Sequence, residues 1–165
     1  MFRSGIGYDA HHFGEGRKLI LGGVEIPHPR GLAGHSDADV LTHAIADALL
    51  GAIGEHDIGH HFPNTDETIR GISSLEILRR VGEILAEKKF RIANVDATLI
   101  AEAPRIGPHL ATMREKISSA LGIDPSRVGM KATTNEGMGA IGRGEGMAAM
   151  AVASVEGTAL SVPER

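Results

Sequence analysis

Three residues of this chain could meet around one cation. Asp9 and His11 stand two apart in Gly7-Tyr8-Asp9-Ala10-His11, a stretch that reads as the end of a first strand. Side chains two apart on an extended backbone project to the same face, with Cα atoms roughly 6.5 to 7 Å apart, so a carboxylate oxygen and an imidazole nitrogen can converge. His43 offers a third ligand from a helix that follows. Two nitrogens and one carboxylate suit zinc and leave a fourth position open, as in a catalytic site; the same set could host non-haem iron. The competing reading makes His43 a polar residue on the exposed side of an amphipathic helix, and spacing alone does not separate the two. His12, His28, His56, His60, His61 and His109 have no pair of partners in the pattern and are expected to be solvated.

Three other stretches carry chemistry-bearing groups. Gly34-His35-Ser36 lies at the predicted start of the first helix, where unpaired N–H groups and the helix dipole favour an anion. A capping serine needs no imidazole before it, which makes His35 the informative residue. Lys131-Ala132-Thr133-Thr134-Asn135-Glu136 runs into the glycine-rich Gly137 to Gly144. Its hydroxyls and carboxylate could bind phosphate oxygens and a magnesium ion, although it lacks the spacing of a P-loop and could equally be a flexible connection. Ala101-Glu102-Ala103-Pro104-Arg105-Ile106-Gly107, at another strand end, offers a backbone rim for a base or simply a turn.

The elements that must position these groups follow from hydrophobic period and turn residues. Strands are predicted at Phe2 to Asp9, Arg91 to Ala101, Val128 to Thr133 and Met147 to Val155, with a hairpin of Lys18 to Leu21 and Val24 to Ile26 turning at Gly22-Gly23. Ser36 is expected to cap a first helix, with Asp39 at its third position and the end near Gly51; His43 then falls in the second turn. Ser73 and Glu76 repeat that cap pattern for a helix to about Lys89, buried along Leu75, Ile77, Leu78, Val81 and Leu85. Pro108 opens a third helix and Gly122 ends it. Residues 55 to 71 read as a long polar loop, a length that is usually functional or mobile. The order predicts an α+β fold, a mixed β-sheet with helices packed on one face plus a small β-hairpin, in a single domain over 1–165 with Ser161 to Arg165 frayed.

Composition bounds the partners. The formal net charge is -4, which argues against sequence-independent nucleic-acid binding, so any anionic ligand must find its positive field locally. There is no cysteine, which leaves nitrogen and oxygen as metal ligands. The start Met1-Phe2-Arg3-Ser4-Gly5 lacks the apolar run of a signal peptide and no stretch is long enough to span a bilayer, so a cytoplasmic location is expected. Four Phe and one Tyr among 165 residues leave a light core, and the last strand is apolar on both faces, so self-association is expected.

Taken together, Asp9-Ala10-His11, Gly34-His35-Ser36-Asp37, His43 with the following Ala-Asp-Ala-Leu-Leu-Gly, Asp57-Ile58-Gly59, Phe62-Pro63-Asn64-Thr65-Asp66, Ala103-Pro104, Lys131-Ala132-Thr133-Thr134 and Gly142-Arg143-Gly144-Glu145-Gly146 closely resemble the 2-C-methyl-D-erythritol 2,4-cyclodiphosphate synthase family of the non-mevalonate isoprenoid pathway. The match runs in order from about residue 3 to residue 155. The resemblance implies a homotrimer with active sites between subunits. It implies zinc on Asp9, His11 and His43, and phosphoryl transfer assisted by His35 and Thr134. Asp57, Ile58 and Gly59 would hold the methylerythritol part, with Phe62, Pro63, Asn64, Thr65 and Asp66 nearby and Ala10 and Ser36 also against the substrate. Ala101 to Gly107 and Thr133, Thr134, Asn135 and Glu136 would receive the cytidine diphosphate, Glu136 also reaching magnesium or manganese; Ala140 and Arg143 complete the set. Ala140 stands where an aromatic is common, Asn135 replaces a frequent Thr or Ser, and Gly107 sits where a larger apolar residue is often found.

The reaction so implied is intramolecular: the 2-phosphate attacks the β-phosphorus, CMP leaves and a cyclic diphosphate forms. Such chemistry needs positioning and charge neutralisation more than a covalent nucleophile. Two alternatives use the same residues, a zinc-dependent phosphohydrolase that activates water and a non-catalytic nucleotide or isoprenoid diphosphate binding module.

Overall fold

The computed structural model describes residues 1–63 and 65–157; the expectations for Asn64 and for Ser161 to Arg165 lie outside the described residues. The first strand, β1, is longer than its pattern suggested, running Phe2–Gly14. It carries the two predicted ligands within the strand and not beyond it, because pairing with the last strand continues through His11 and His12. The predicted hairpin forms as β2 (Leu19–Leu21) and β3 (Val24–Ile26), and a short β4 (Gly31–Leu32) pairs back onto the end of β1.

Helix α1 spans Val40–Ile53, and its cap differs from expectation. Asp39, not Ser36, caps it, accepting Thr42 N–H at 3.1 Å, and Gly54 ends it. Asp39 wins the position because its fully buried carboxylate also accepts Gly22 N–H at 2.9 Å, Gly23 N–H at 2.7 Å and the Thr42 hydroxyl at 2.7 Å. One side chain thus ties the hairpin turn to the helix start. The stretch read as a long polar loop contains a short helix, α2 (Ile58–His61), and a 3-10 turn at Glu67–Ile69. Helix α3 (Ser74–Glu87) starts after Ser73, whose side chain makes no cap bond, while Glu76 turns outward to Arg79 at 2.7 Å and Arg80 at 2.9 Å. The expected capping box is therefore replaced by surface ion pairs.

Strand β5 (Phe90–Ile100), helix α4 (Leu110–Leu121, preceded by a 3-10 turn at Gly107–His109), β6 (Val128–Thr133), the short α5 (Gly139–Gly142) and β7 (Gly146–Gly157) follow among the described residues. The five-stranded sheet has the order β4-β1-β7-β5-β6, antiparallel except for the parallel pair of β5 and β6, so the expected mixed sheet is present. Helix α1 packs against β1 and β7, α3 against α1, and α4 against α3 and β6, so one face of the sheet is covered.

Alternation along the strands sets what each face holds. Met147, Ala149, Ala151, Ala153 and Val155 of β7 are buried toward α1, and Gly5, Gly7, Asp9 and His11 of β1 lie on that same side. A Cβ on Gly5 or Gly7 would overlap the carbonyl oxygens of Ala48 or Ala44. That bare surface lets the helix backbone approach the strand, bringing His43 within reach of Asp9. The other face leaves Phe2, Ile6, Tyr8, Met150 and Val152 exposed, so β7, expected to be buried on both sides, is covered in this chain on one side only.

Candidate functional site

The expected trio meets. Asp9, His11 and His43 each offer a ligand atom within 4.8 Å of the others. Asp9 Oδ2 lies 2.9 Å from His11 Nε2 and 3.0 Å from His43 Nδ1. The remaining ring nitrogens face inward: His11 Nδ1 is 2.6 Å from the Ala33 carbonyl, and His43 Nε2 is 2.9 Å from Ser74 Oγ and 3.2 Å from Ser36 Oγ. A ring that gives one N–H to a protein acceptor keeps the lone pair of its other nitrogen for a cation. His43 is buried on α1, against the reading that placed it on an exposed helix face.

Without an ion, the trio shares protons. Burial opposes ionisation of Asp9, but hydrogen bonds and charge from His11 and His43 outweigh it and hold the carboxyl well below its usual range. The Asp9 hydrogen bond raises the pKa of His11, against the opposing effect of burial. An oxygen flanked by two imidazole nitrogens, each oriented from behind, is a donor set that fits zinc.

These groups line a cavity of about 220 Å³ together with Gly34, His35, Ser36, Ile58, Gly59 and Phe62. His35 Nε2 is buried without a hydrogen-bond partner among the described residues, an orphan donor or acceptor beside the trio. Gly34 to Ser36 precede α1 instead of starting it, so the anion-favouring helix terminus expected there is displaced to Asp39, whose carboxylate occupies it. Ser36 Oγ instead accepts Ala38 N–H at 3.0 Å. Ala10 N–H donates to Asp9 Oδ1 at 2.9 Å. Asp57 is exposed and caps α2 through His60 N–H at 3.0 Å, while Ile58 N–H is held by Asp47 at 2.8 Å. Pro63 and Thr65 are exposed, and Asp66 is half-buried with its N–H on Pro63 O at 2.9 Å.

The second group of expected residues gathers elsewhere. Ala101, Glu102, Pro104, Arg105, Ile106 and Gly107 line another cavity of about 430 Å³ with Thr133 and Thr134, and the Ala103-Pro104 peptide is cis. Glu102 accepts Asn135 N–H at 2.8 Å, and the Thr134 hydroxyl donates to Glu136 at 3.1 Å. Ala140 is exposed on α5, and Arg143 pairs with Glu145 at 2.7 Å. The two cavities share no lining residue. Within one chain the trio and the Thr133 to Glu136 segment are therefore not brought into one pocket.

Sequence reasoning missed several contributors. Arg17 donates to the Gly34 and Ser36 carbonyls at 2.7 and 2.5 Å, bracing the backbone on both sides of His35. Ile69, Ile72 and Ile77 wall the first cavity. Ser74 stands directly behind His43, in a Ser73-Ser74 pair whose first member is the expected helix cap.

Fold and site define an α+β protein whose strand end and first helix present a candidate divalent-metal site beside a cavity. The chain belongs to the YgbB family, whose model matches residues 2–156. It is 60% identical over 153 residues to a 2-C-methyl-D-erythritol 2,4-cyclodiphosphate synthase of Alkaliphilus metalliredigens, covering 93% of this chain and 96% of that protein. Among solved structures it resembles the CDP complex of Plasmodium falciparum IspF, with a TM-score of 0.83 and 34% identity over 96% of this chain and 97% of that one. It also matches the bifunctional IspDF of Campylobacter jejuni, with a TM-score of 0.92 and 39% identity over 96% of this chain and 43% of that longer one.

Proposed function

We propose that the chain, as a single catalytic domain over 1–165, converts 4-diphosphocytidyl-2-C-methyl-D-erythritol 2-phosphate to 2-C-methyl-D-erythritol 2,4-cyclodiphosphate and CMP. The observation that carries this reading is the convergence of Asp9, His11 and His43 on one side of a cavity that also holds the orphaned His35 nitrogen. The 60% identical synthase supports the same substrate. In the reaction a 2-phosphate oxygen bonds to the β-phosphorus as the bond from that phosphorus to the bridging oxygen breaks. CMP departs with the electron pair and no water is consumed, which makes the activity a phosphorus-oxygen lyase.

Asp9, His11 and His43 would hold zinc, which supplies a Lewis acid for a phosphate oxygen. His35 Nε2, having no partner among the described residues, is available to a phosphate oxygen, and Thr134 offers a hydroxyl to the other end of the diphosphate. Ile58, Gly59 and Phe62 wall the space for the methylerythritol, and Asp57 would contact it from its exposed position at the start of α2. The rim from Ala101 to Gly107, with Thr133, receives the cytidine, and Glu136 offers a carboxylate to magnesium or manganese. Holding both phosphates in line is most of the catalytic task.

Two cavities with no shared residue support a site completed by a neighbouring subunit, and the exposed Ile6, Tyr8, Met150 and Val152 support a homotrimer that buries this face. A cytoplasmic location accords with the fact that no helix among the described residues is long and apolar enough to cross a membrane. The test is incubation with substrate, zinc and magnesium in labelled water. The expected products are CMP and a cyclic diphosphate carrying no label; a labelled open phosphate would make the chain a hydrolase, and no turnover by folded, metal-loaded protein would reject the assignment.

A further inference from the structure

His43 reaches the trio through Nδ1, so the proton of its ring must reside on Nε2 for that nitrogen to act as a ligand. What decides the tautomer is the hydrogen bonding behind the ring. Ser74, fully buried as the first residue of α3, places Oγ 2.9 Å from Nε2. Its hydroxyl proton is directed at Asp37 Oδ1, and its backbone N–H donates to Asp37 Oδ2 at 3.0 Å. An ionised carboxylate only accepts, so the hydroxyl is committed as a donor and its oxygen can only accept from the imidazole. With an ion in place of the proton between His43 Nδ1 and Asp9 Oδ2, the order of protons reads from Asp37 through Ser74 to His43 Nε2–H, which leaves the Nδ1 lone pair for the cation.

We propose that Asp37 and Ser74 are positioning residues for the metal site, a carboxylate–hydroxyl–imidazole relay that fixes the His43 tautomer and ring plane. The inference rests on the reading that Asp9, His11 and His43 bind zinc. Ser36 does not replace the relay: its oxygen is farther from Nε2, at 3.2 Å, and already accepts Ala38 N–H at 3.0 Å. Asp37 is itself held, its N–H donating to Ile72 O at 3.2 Å and its Oδ1 accepting Asp39 N–H at 3.3 Å. The relay therefore couples three elements: the loop before α1, the start of α3, and the ligand on α1.

The experiment is a zinc titration of the full chain against a chromophoric chelator, with nitrogen-15 NMR of the histidine rings in the zinc-loaded protein. Partners of this kind are worth about 10- to 100-fold in metal affinity. Ser74→Ala is expected to weaken zinc by that factor, measured on metal-free protein that is still folded at the titration temperature, since losing the buried hydroxyl also lowers its melting temperature. Ser74→Thr keeps the hydroxyl and should stay close to the parent. Asp37→Asn, whose amide can donate to Ser74 and free its proton to point at Nε2, should weaken zinc about tenfold. In the parent, NMR should find His43 protonated at Nε2. Undiminished zinc affinity in Ser74→Ala, or a parent His43 protonated at Nδ1 and ligated through Nε2, overturns the relay. Should Ser74→Ala fail to fold, Asp37→Asn and the parent spectrum decide. A folded parent that takes up no zinc at all overturns the metal reading itself, which is a different result from zinc bound equally by parent and variant.

Discussion

At the scale of single residues, the trio sets a pH dependence whose sign can be worked out. The pKa of His11 is raised above its ordinary 6.5, so its pairing with Asp9 stabilises the metal-free fold below that value and the contribution is lost as pH rises through the folded pKa. The pKa of Asp9 is lowered from 3.8, so its contribution is present above that value and lost as pH falls through the folded one. Zinc at the proposed site would compete with the His11 proton, so its stabilisation would run the other way. Melting curves at fixed zinc should show a zinc-induced shift that grows as pH is raised through the His11 titration. A shift independent of pH would contradict the shared-proton picture. Asp39 offers a second residue-scale test: alanine there leaves four donors facing a cavity, and the expected cost is about 3 kcal/mol by chemical denaturation.

Between residue and molecule, the elements were legible to different degrees. The continuous apolar run of β7 and the apolar stripe of α3 gave bounds close to the observed ones, because burial restricts those positions to apolar residues. Asp9, His11 and His43 were legible because ligand chemistry restricts residue type. The cap of α1 was misread: Ser36 and Asp39 both suit the position, and the choice is made by the hairpin amides of Gly22 and Gly23, a tertiary contact with no local signature. Ser74 was missed for the same reason, since its role depends on Asp37 and His43, 37 and 31 residues away. Gly5 and Gly7 gave no sign of the helix that lies on them. Gly7→Ala sets a Cβ against the Ala44 carbonyl and should destabilise by about 3 kcal/mol or more while pushing His43 away from Asp9. Its check is the denaturation midpoint together with zinc affinity; loss of neither would mean the helix can shift without consequence.

At the scale of the whole molecule, the sheet face that α1 does not cover is the feature that bears on assembly. Ile6, Tyr8, Met150 and Val152 are between 44% and 66% exposed there, on strands at the centre of the sheet, and a contiguous apolar patch of that kind marks an interaction surface. Val152→Asp should therefore lower the mass in solution toward that of one 17.3 kDa chain and reduce turnover at least about 100-fold, as expected when half of a composite site is lost, with little change in helix content. An active monomer would refute assembly as a requirement. The net charge of -4 also finds its place at this scale, because cations at the proposed site would supply the field that the chain as a whole lacks. The most direct measurement is anomalous diffraction at the zinc edge from crystals of the zinc-loaded protein. The expected result is a peak between Asp9 Oδ2, His11 Nε2 and His43 Nδ1 in every subunit; a zinc-replete crystal with no peak there, or with those three side chains turned apart, would contradict the account.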